Sequence, residues 1–401
     1  MIALILIPVY LTINYIVLNR TLKYLGAWHD VFKKRKTKII IGSVYVVFMF
    51  SPLLGFMIKS EPWHVFFKVI GNYWLGIFEV SIVSLLIYGI LWICLRFTFW
   101  RGKPYDIRRL KYGGTAVVLA VMMLCSYGFA HSGTIKINKY DIDVNKKLVL
   151  EDKPEKKSTL KIALVADTHI GYSIGEKQIQ KMVDKINSQN PDLVIIAGDI
   201  FDNEYRAVRN PEKIKKIFRS IKSRYGVYAV WGNHDIPEAL LSGFTLRGKE
   251  PYKEEPEFKK FLEESNVKLL EDKSLLVKGK FYLFGRKDYS MTEKLGEKRK
   301  EVSEFTEEFD RSKPIIMVDH QPRELEKASE SGVDVALSGH THNGQIFPGN
   351  LTVKIPWENP YGILKKGNMT SAVTSGVGIW GPKMRIGSDA EIMMLNVNFK
   401  K

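Results

Sequence analysis

Four apolar runs near the N-terminus constrain the fold of this chain more than any other feature. Each is close to the ~20 residues that a helix needs to cross a bilayer, and charged loops separate them. The runs span residues 2–19, 39–58, 73–97 and 113–130. Four such runs in succession favour membrane helices over buried core helices. We therefore expect residues 1–130 to form a four-helix transmembrane region. The first run is expected to be retained rather than cleaved, because no positive region precedes it.

The positive charge of the chain lies mostly beside these runs. The formal net charge is +17, and residues 1–130 hold 15 Lys and Arg against 4 Asp and Glu. Residues 20–38 contain seven Lys or Arg, residues 96–111 contain six, and residues 59–72 contain two. Basic loops stay in the cytoplasm, so the first and third loops are expected on the inner side of the cytoplasmic membrane. The N-terminus, the second loop and everything after Ala130 are then expected on the outer side. This distribution favours a lipid bilayer, not a nucleic acid, as the partner of the positive charge.

A change of pattern at residue 160 predicts a second domain. Residues 131–159 are polar and Lys-rich, and either a linker or a first β-ribbon fits them. From 160 to 401, apolar β-rich runs at 162–166, 193–197, 227–230, 315–318 and 333–337 alternate with helical patterns at 177–186, 214–221, 257–264 and 323–330. Such alternation predicts a mainly parallel α/β arrangement. Further strands predicted at 275–284, 351–355, 372–375 and 391–397 have no helices between them and indicate a second, more antiparallel sheet.

Polar motifs follow five of these predicted strands. They are Asp-Thr-His at 167–169, Gly-Asp-Ile-Phe-Asp at 198–202, Gly-Asn-His-Asp at 232–235, Asp-His-Gln-Pro at 319–322 and Gly-His-Thr-His at 339–342. In open α/β sheets, ligands bind at the carboxyl ends of the strands. We therefore expect the five motifs to converge on one site.

The residue types in these motifs indicate a metal site. Taken singly, an Asp at a strand end is usually a helix cap, and Gly-Asn-His-Asp is usually a turn. Taken together, the motifs hold five of the six histidines beyond residue 130. Residues i and i+2 of an extended segment point to the same side, so Asp167 with His169, and His340 with His342, can each act as a pair. Carboxylate, imidazole and amide ligands without thiolate suit Mn, Fe or Zn, and there are enough of them for two divalent ions.

In this order, the motifs resemble those of the calcineurin-like metallophosphoesterases over residues 160–397. The stretch GHTHNGQ, followed by VGIWGP at 377–382, is similar to the GHTHGGQ form of a bacterial membrane-associated subgroup, with Asn343 in place of a glycine. The resemblance implies an α/β sandwich of two mixed sheets flanked by helices. It also implies a metal-dependent phosphoesterase hydrolase.

The resemblance also assigns roles by position. It divides the metal ligands into Asp167, His169 and His342 for one ion and Asn233, His320 and His340 for the other, with Asp199 bridging both. His234 would be the acid beside the leaving group, and Asp235 could orient it. Two such metals would neutralise the phosphoryl group and lower the pKa of a shared water, whose hydroxide then attacks phosphorus in line.

The substrate stays open at this stage. Lys383 and Arg385 could bind phosphate or could be a solvated strand end. The apolar stretches 240–246 and 357–364 could contact lipid or pack locally. We expect a membrane-anchored phosphoesterase that acts on a phosphodiester or lipid-linked phosphate. The alternatives are a metal-binding envelope sensor or scaffold with little turnover, a protein or nucleotide phosphatase, and a transporter with an appended domain.

Overall fold

The computed structural model describes residues 2–101, 106–148, 158–238, 240–241, 244–245, 253 and 255–400. The chain divides into two compact units. The first comprises residues 1–129, 241–244 and 381–383, and the second comprises residues 130–240, 245–380 and 384–401.

The first unit is built from long helices. They are α1 (Ile2–Trp28), α2 (Arg35–Met57), α3 (Trp63–Phe97) and α4 (Ile107–His131). Within the described residues, α2, α3 and α4 are long and apolar enough to cross a membrane. The first predicted run, 2–19, lies within α1, and the side chains of residues 2–6 lie outside the described part of the chain.

Close backbone contact and side-chain hydrogen bonds join these helices. A Cβ atom on Gly71 would lie 3.0 Å from the Pro52 backbone, so glycine permits the approach of α3 to α2. Tyr45 donates a hydrogen bond to Asn14 over 3.0 Å, and Trp74 donates one to Tyr10 over 3.0 Å. Small residues and satisfied polar groups of this kind are what associates helices in lipid, where apolar burial contributes little.

The second unit contains a first six-stranded sheet in the order β1-β14-β2-β3-β4-β7. Its strands are β1 (Ile135–Lys147), β2 (Ser158–Val165), β3 (Leu193–Ala197), β4 (Val227–Val230), β7 (Lys268–Leu269) and β14 (Ala390–Lys400). Strands β2, β3, β4 and β7 are parallel, and β14 runs antiparallel to β2 and parallel to β1. Residues 135–147, which fitted either a linker or a ribbon, are thus an edge strand of the sheet. Helices α5 (Glu176–Ser188), α6 (Pro211–Arg219) and α7 (Pro256–Glu264) share a hydrophobic core with one face of this sheet.

A second six-stranded sheet has the order β12-β13-β11-β10-β9-β8. Its strands are β8 (Lys273–Val277), β9 (Phe281–Gly285), β10 (Ile315–Val318), β11 (Val335–Ser338), β12 (Gly362–Lys366) and β13 (Met369–Val373). The inner four strands are parallel and the two edge strands are antiparallel to them. Among the described residues, the remaining α-helices are α8 (Tyr289–Leu295), α9 (Val302–Thr306), α10 (Leu325–Glu330) and α11 (Gly349–Thr352), and the remaining strands, β5 (Leu240–Leu241) and β6 (Phe244–Thr245), pair with each other.

The two sheets pack face to face through a shared apolar core. The first sheet contributes Leu164 and Ile195 and the second contributes Ile316 and Leu337, all fully buried. The sandwich of two mixed sheets flanked by helices, as expected from the sequence, is confirmed. The strand predicted at 351–355 is wrong, because this region contains the short helix α11 and exposed turn residues such as Ile355. Its apolar residues lie at the surface, and a prediction from hydrophobicity alone mistakes them for a buried strand.

Candidate metal centre

Six of the predicted ligands lie on the loops that follow four central strands of the two sheets. Asp167 and His169 follow β2, Asp199 follows β3, His320 follows β10, and the pair His340 and His342 follows β11. Five of these six residues have positive φ, between 43° and 73°. Non-glycine residues adopt this left-handed region only where the surrounding structure enforces it. The loops are therefore held in unusual conformations by the packed strands beneath them.

Asp167, His169 and His342 form the first group of convergent ligand atoms, and all three are buried. The Nε2 atoms of His169 and His342 are 3.1 Å apart, and His342 Nε2 is 3.6 Å from Asp167 Oδ1. Two imidazole nitrogens this close require a proton or a cation between them. The set is one carboxylate and two imidazoles, which is a common donor set for a divalent transition metal.

Asp199, His320 and His340 form the second group. His320 Nε2 lies 3.1 Å from Asp199 Oδ2 and 3.2 Å from His340 Nδ1. Asn233 Oδ1 lies 3.2 Å from the same His320 nitrogen, so the predicted amide ligand also reaches this group. The other ring nitrogen of His320 contacts the carbonyl oxygen of Ala197 at 2.7 Å. That contact fixes the ring orientation, as outer partners of metal-binding histidines commonly do.

Asp199 lies between the two groups. Its Oδ2 atom is 3.8 Å from His169 Nε2 and 3.1 Å from His320 Nε2. Its Oδ1 atom accepts a hydrogen bond from the backbone N–H of His234 over 2.8 Å. One carboxylate oxygen therefore faces both groups while the other fixes the side chain.

Burial sets the charge of the imidazoles. It lowers the pKa of His169 to about 3, and it holds the pKa values of His340 and His342 well below the ordinary value. Neutral imidazole is the form that binds metal. Burial also lowers the pKa of His320, but the carboxylates, Asp199 first among them, outweigh it and raise this pKa well above normal. In the metal-free protein, His320 and Asp199 thus form an ion pair, whose proton a divalent cation would replace.

These residues fit the two metal ions that the sequence predicts. Two sets of three ligand atoms, each set within 4.8 Å, bring together imidazole nitrogens and carboxylate oxygens. The only cysteines, Cys94 and Cys125, lie on α3 and α4, so thiolate takes no part. Asp167, His169 and His342 could hold one ion, and Asn233, His320 and His340 the other, with Asp199 shared.

His234 stands beside the ligands and is held by a residue that the sequence analysis missed. Its Nδ1 atom is 2.9 Å from Asn203 Oδ1, while the Asn203 amide nitrogen donates to the Ile236 carbonyl over 3.0 Å. Because the facing atom of Asn203 is an acceptor, Nδ1 carries the proton and Nε2 is left for other partners. The His234 ring lies 5.4 Å from the His169 ring and 5.9 Å from the Trp380 ring.

Asp235 does not orient His234, which corrects the expectation from the sequence. Its buried carboxylate accepts hydrogen bonds from the backbone N–H groups of Phe201 and Gly232, each over 2.8 Å. It therefore closes its own Gly-Asn-His-Asp turn and ties that turn to the Gly-Asp-Ile-Phe-Asp loop. Nothing in the local sequence distinguished this role from a contact with the neighbouring histidine.

Lys383 and Arg385, the predicted phosphate-binding pair, occupy different environments. Lys383 is half-buried, whereas Arg385 is 0% exposed and packs against His342, with a terminal nitrogen 3.4 Å from Nδ1. Its guanidinium donates mainly to backbone carbonyls, including those of Ser375 (2.7 Å) and Gly378 (2.8 Å). Burial lowers the pKa of Arg385 to about 10, which leaves it cationic at neutral pH. In this position it supports the ligand loops and has little left to offer a substrate.

Gln345, the last residue of GHTHNGQ, explains how the Trp380 loop is held. Its amide nitrogen donates to the Trp380 carbonyl and its amide oxygen accepts from the Trp380 N–H, both over 2.8 Å. This paired contact joins the His340–His342 loop to the turn that carries Trp380 over His234. Gln345 lies within the GHTHNGQ stretch, but the sequence alone gave no indication of its partner.

Comparison with known proteins agrees with this centre. Residues 160–344 match the calcineurin-like phosphoesterase family. An uncharacterized metallophosphoesterase of Campylobacter jejuni is 29% identical over 303 residues, covering 75% of this chain and 74% of that protein. An uncharacterized metallophosphoesterase of Helicobacter pylori is 29% identical over 327 residues, covering 80% and 79%. A transmembrane protein with metallophosphoesterase domain from Danio rerio is 26% identical over 354 residues, covering 84% and 74%.

The chain therefore carries a calcineurin-like phosphoesterase domain over residues 160–344. Its second unit carries the domain of a metal-dependent phosphoesterase hydrolase, and apolar helices precede that domain.

Replacing Arg385 by Lys should weaken metal binding without removing a ligand. Lysine keeps the charge but cannot reach the carbonyls that the guanidinium spans, so the loop carrying His342 should loosen. We expect metal affinity to fall by about 10- to 100-fold, as for other outer partners of metal ligands. Competition with a chelator, followed by elemental analysis, measures this. Lys383→Ala is the matched control and should keep wild-type affinity; equal losses in both variants would contradict the role assigned to Arg385.

Replacing Asn203 by Ala should impair turnover while sparing the metals. Loss of the acceptor at Nδ1 frees the His234 ring and its tautomer, so kcat should drop by about 10- to 100-fold, less than the 10²–10⁴ expected for loss of a general acid. Asn203→Asp keeps an acceptor and should recover most of the rate. A parallel fall in metal content and kcat in Asn203→Ala would show that Asn203 acts on the ligands instead.

Proposed function

We propose that this chain is a membrane-anchored phosphoesterase with two divalent metals, which hydrolyses phosphodiester or lipid-linked phosphate bonds. The position of Asp199 between two ligand groups, with His234 beside it, carries the proposal. Two adjacent divalent ions would neutralise the phosphoryl oxygens and lower the pKa of a water poised for in-line attack. Mn, Fe or Zn suits a ligand set of carboxylate, imidazole and amide.

His234 would supply the proton for the leaving alkoxide. Asn203 accepts from Nδ1, so Nε2 is the atom that can carry and release a second proton. Trp380 covers one side of the imidazole and limits the positions that the ring can adopt. General acid catalysis of this kind contributes typically 10²–10⁴-fold to the rate.

The helices support a lipid-linked substrate over a diffusing one. Within the described residues, three helices long and apolar enough to cross a membrane precede the domain, and they would hold the centre near a bilayer surface where lipid headgroups are concentrated. The competing functions make different predictions. A sensor or scaffold would bind metal without turnover, and a protein or nucleotide phosphatase would prefer phosphopeptides or nucleotides in a substrate panel.

Metal removal and two substitutions test the mechanism. Chelation should abolish hydrolysis of an aryl phosphodiester, and Mn²⁺ or a similar ion should restore it.

Asp199→Ala removes a ligand facing both groups and should strip both metals. His234→Ala should keep near-wild-type metal content while kcat falls by roughly 10²–10⁴. Full activity in a preparation shown to be metal-free by elemental analysis would rule out the mechanism.

We also propose that the catalytic domain lies on the extracytoplasmic side. A Lys or Arg at the bilayer centre costs ~2.5–3.5 kcal/mol on insertion scales, and the first and third loops hold seven and six of them. Protease added to intact protoplasts should digest the domain and spare an epitope tag inserted between Lys33 and Lys36. If the domain resisted the protease until the membrane was permeabilised, this orientation would be wrong.

A further inference from the structure

Arg323 lies at the rim of the metal centre, between two aromatic rings. Its guanidinium carbon is 4.7 Å from the Tyr289 ring centroid and 4.8 Å from that of Trp357. Trp357 packs edge to face on the ligand His340, with ring centroids 5.0 Å apart. A single aromatic ring thus separates the guanidinium from a metal ligand.

Hydrogen bonds fix this arginine as well as the rings do. Its Nε atom donates to Gln321 Oε1 over 2.8 Å, and its backbone N–H donates to the Gln321 carbonyl over 2.7 Å. The Gln321 amide nitrogen donates in turn to Asp288 and Ser290, both over 2.9 Å. Gln321 directly follows the ligand His320 in the chain. The guanidinium is therefore anchored to the same loop that carries a ligand.

The terminal nitrogens of Arg323 are the part that remains available. Within the described residues, no carboxylate pairs with Arg323, and its side chain is exposed. The two buried arginines nearby differ, because Arg286 and Arg299 both pair with Asp319. An immobilised guanidinium with an open fork of N–H donors is suited to bidentate binding of a phosphate or carboxylate. Little side-chain entropy is left to lose on binding, which favours affinity.

We propose that Arg323 binds a second anionic group of the substrate, a phosphate or carboxylate, while the scissile phosphoryl group lies at the metals. The inference rests on the proposed function and narrows it to phosphoesters that carry a distal anion. Tyr289 acts as a positioning residue, because it covers one face of the guanidinium and touches none of the ligands described above.

Binding of phosphonates to the metal-loaded full chain in detergent tests this directly. Calorimetry would compare methylphosphonate, which has one anionic group, with a series of diphosphonates whose two groups are joined by increasing numbers of methylenes. Arg323→Ala should weaken the best-fitting diphosphonate by about 10- to 100-fold, as expected for losing charge-assisted hydrogen bonds. Methylphosphonate should bind within about threefold of wild type, because its single group needs only the metals.

Two further variants separate the anion site from general damage. Arg224 also stacks on a tyrosine, with Tyr225 at 5.4 Å, and it precedes β4, so Arg224→Ala is the matched control and should bind the whole series like wild type. Tyr289→Leu should reproduce part of the diphosphonate loss with unchanged metal content.

The outcomes distinguish this inference from the proposed function. A wild-type protein that binds methylphosphonate, together with an Arg323→Ala variant that binds every diphosphonate equally well, would overturn the role of Arg323 alone. Failure of the metal-loaded wild type to bind any phosphonate would overturn the proposed function and this inference together. Arg323→Lys should recover only part of the affinity, since lysine lacks the planar fork.

Discussion

The face-to-face packing of the two sheets is the interaction on which the rest of the structure depends. Fully buried side chains such as Leu164, Ile195 and Ile316 fill the space between them. No single strand carries enough ligands for a metal, and neither sheet alone holds both groups. The first group joins a loop of the first sheet to a loop of the second, and so does the second group. By holding the two sheets together, the apolar core fixes the distance between the two sets of loops that carry the candidate ligands.

Polar contacts behind the candidate ligands then restrict the positions of these loops further. Arg385 joins backbone carbonyls behind His342, Asn203 holds His234, and Gln345 ties two loops together. These groups are buried or nearly so, where an unsatisfied donor or acceptor costs about 1–3 kcal/mol. Each contact therefore restricts the loops to few arrangements. The cationic Arg385 also lies near the carboxylate of Asp167 and offsets part of the negative charge of the centre.

The sequence predicted the fold and the convergence of the candidate ligands far better than the contacts around them. Strands 193–197, 227–230 and 315–318 coincide with β3, β4 and β10, because strands buried on both faces appear as continuous apolar runs. The motifs that carry the candidate ligands could be found in the sequence because each follows such a run. The strand predicted at 351–355 was wrong, because a short run of apolar residues on a surface turn has the same sequence pattern as a buried strand. The partners of His234 and His342 could not be found either. Asn203 is 31 residues from His234 and Arg385 is 43 from His342, and only the folded chain shows such pairings.

The left-handed backbone at Asp167, His169, Asp199, His340 and His342 has a consequence for how the protein acquires its ions. Holding non-glycine residues in that conformation takes the support of the packed strands, so the fold itself brings the candidate ligands together. In zinc fingers, by contrast, the ion and the fold arise together. A cage made in advance can lose and regain ions without unfolding. Since carboxylate and imidazole donors accept several divalent metals, the ions held by such a cage would follow the supply in the compartment where the folded domain resides.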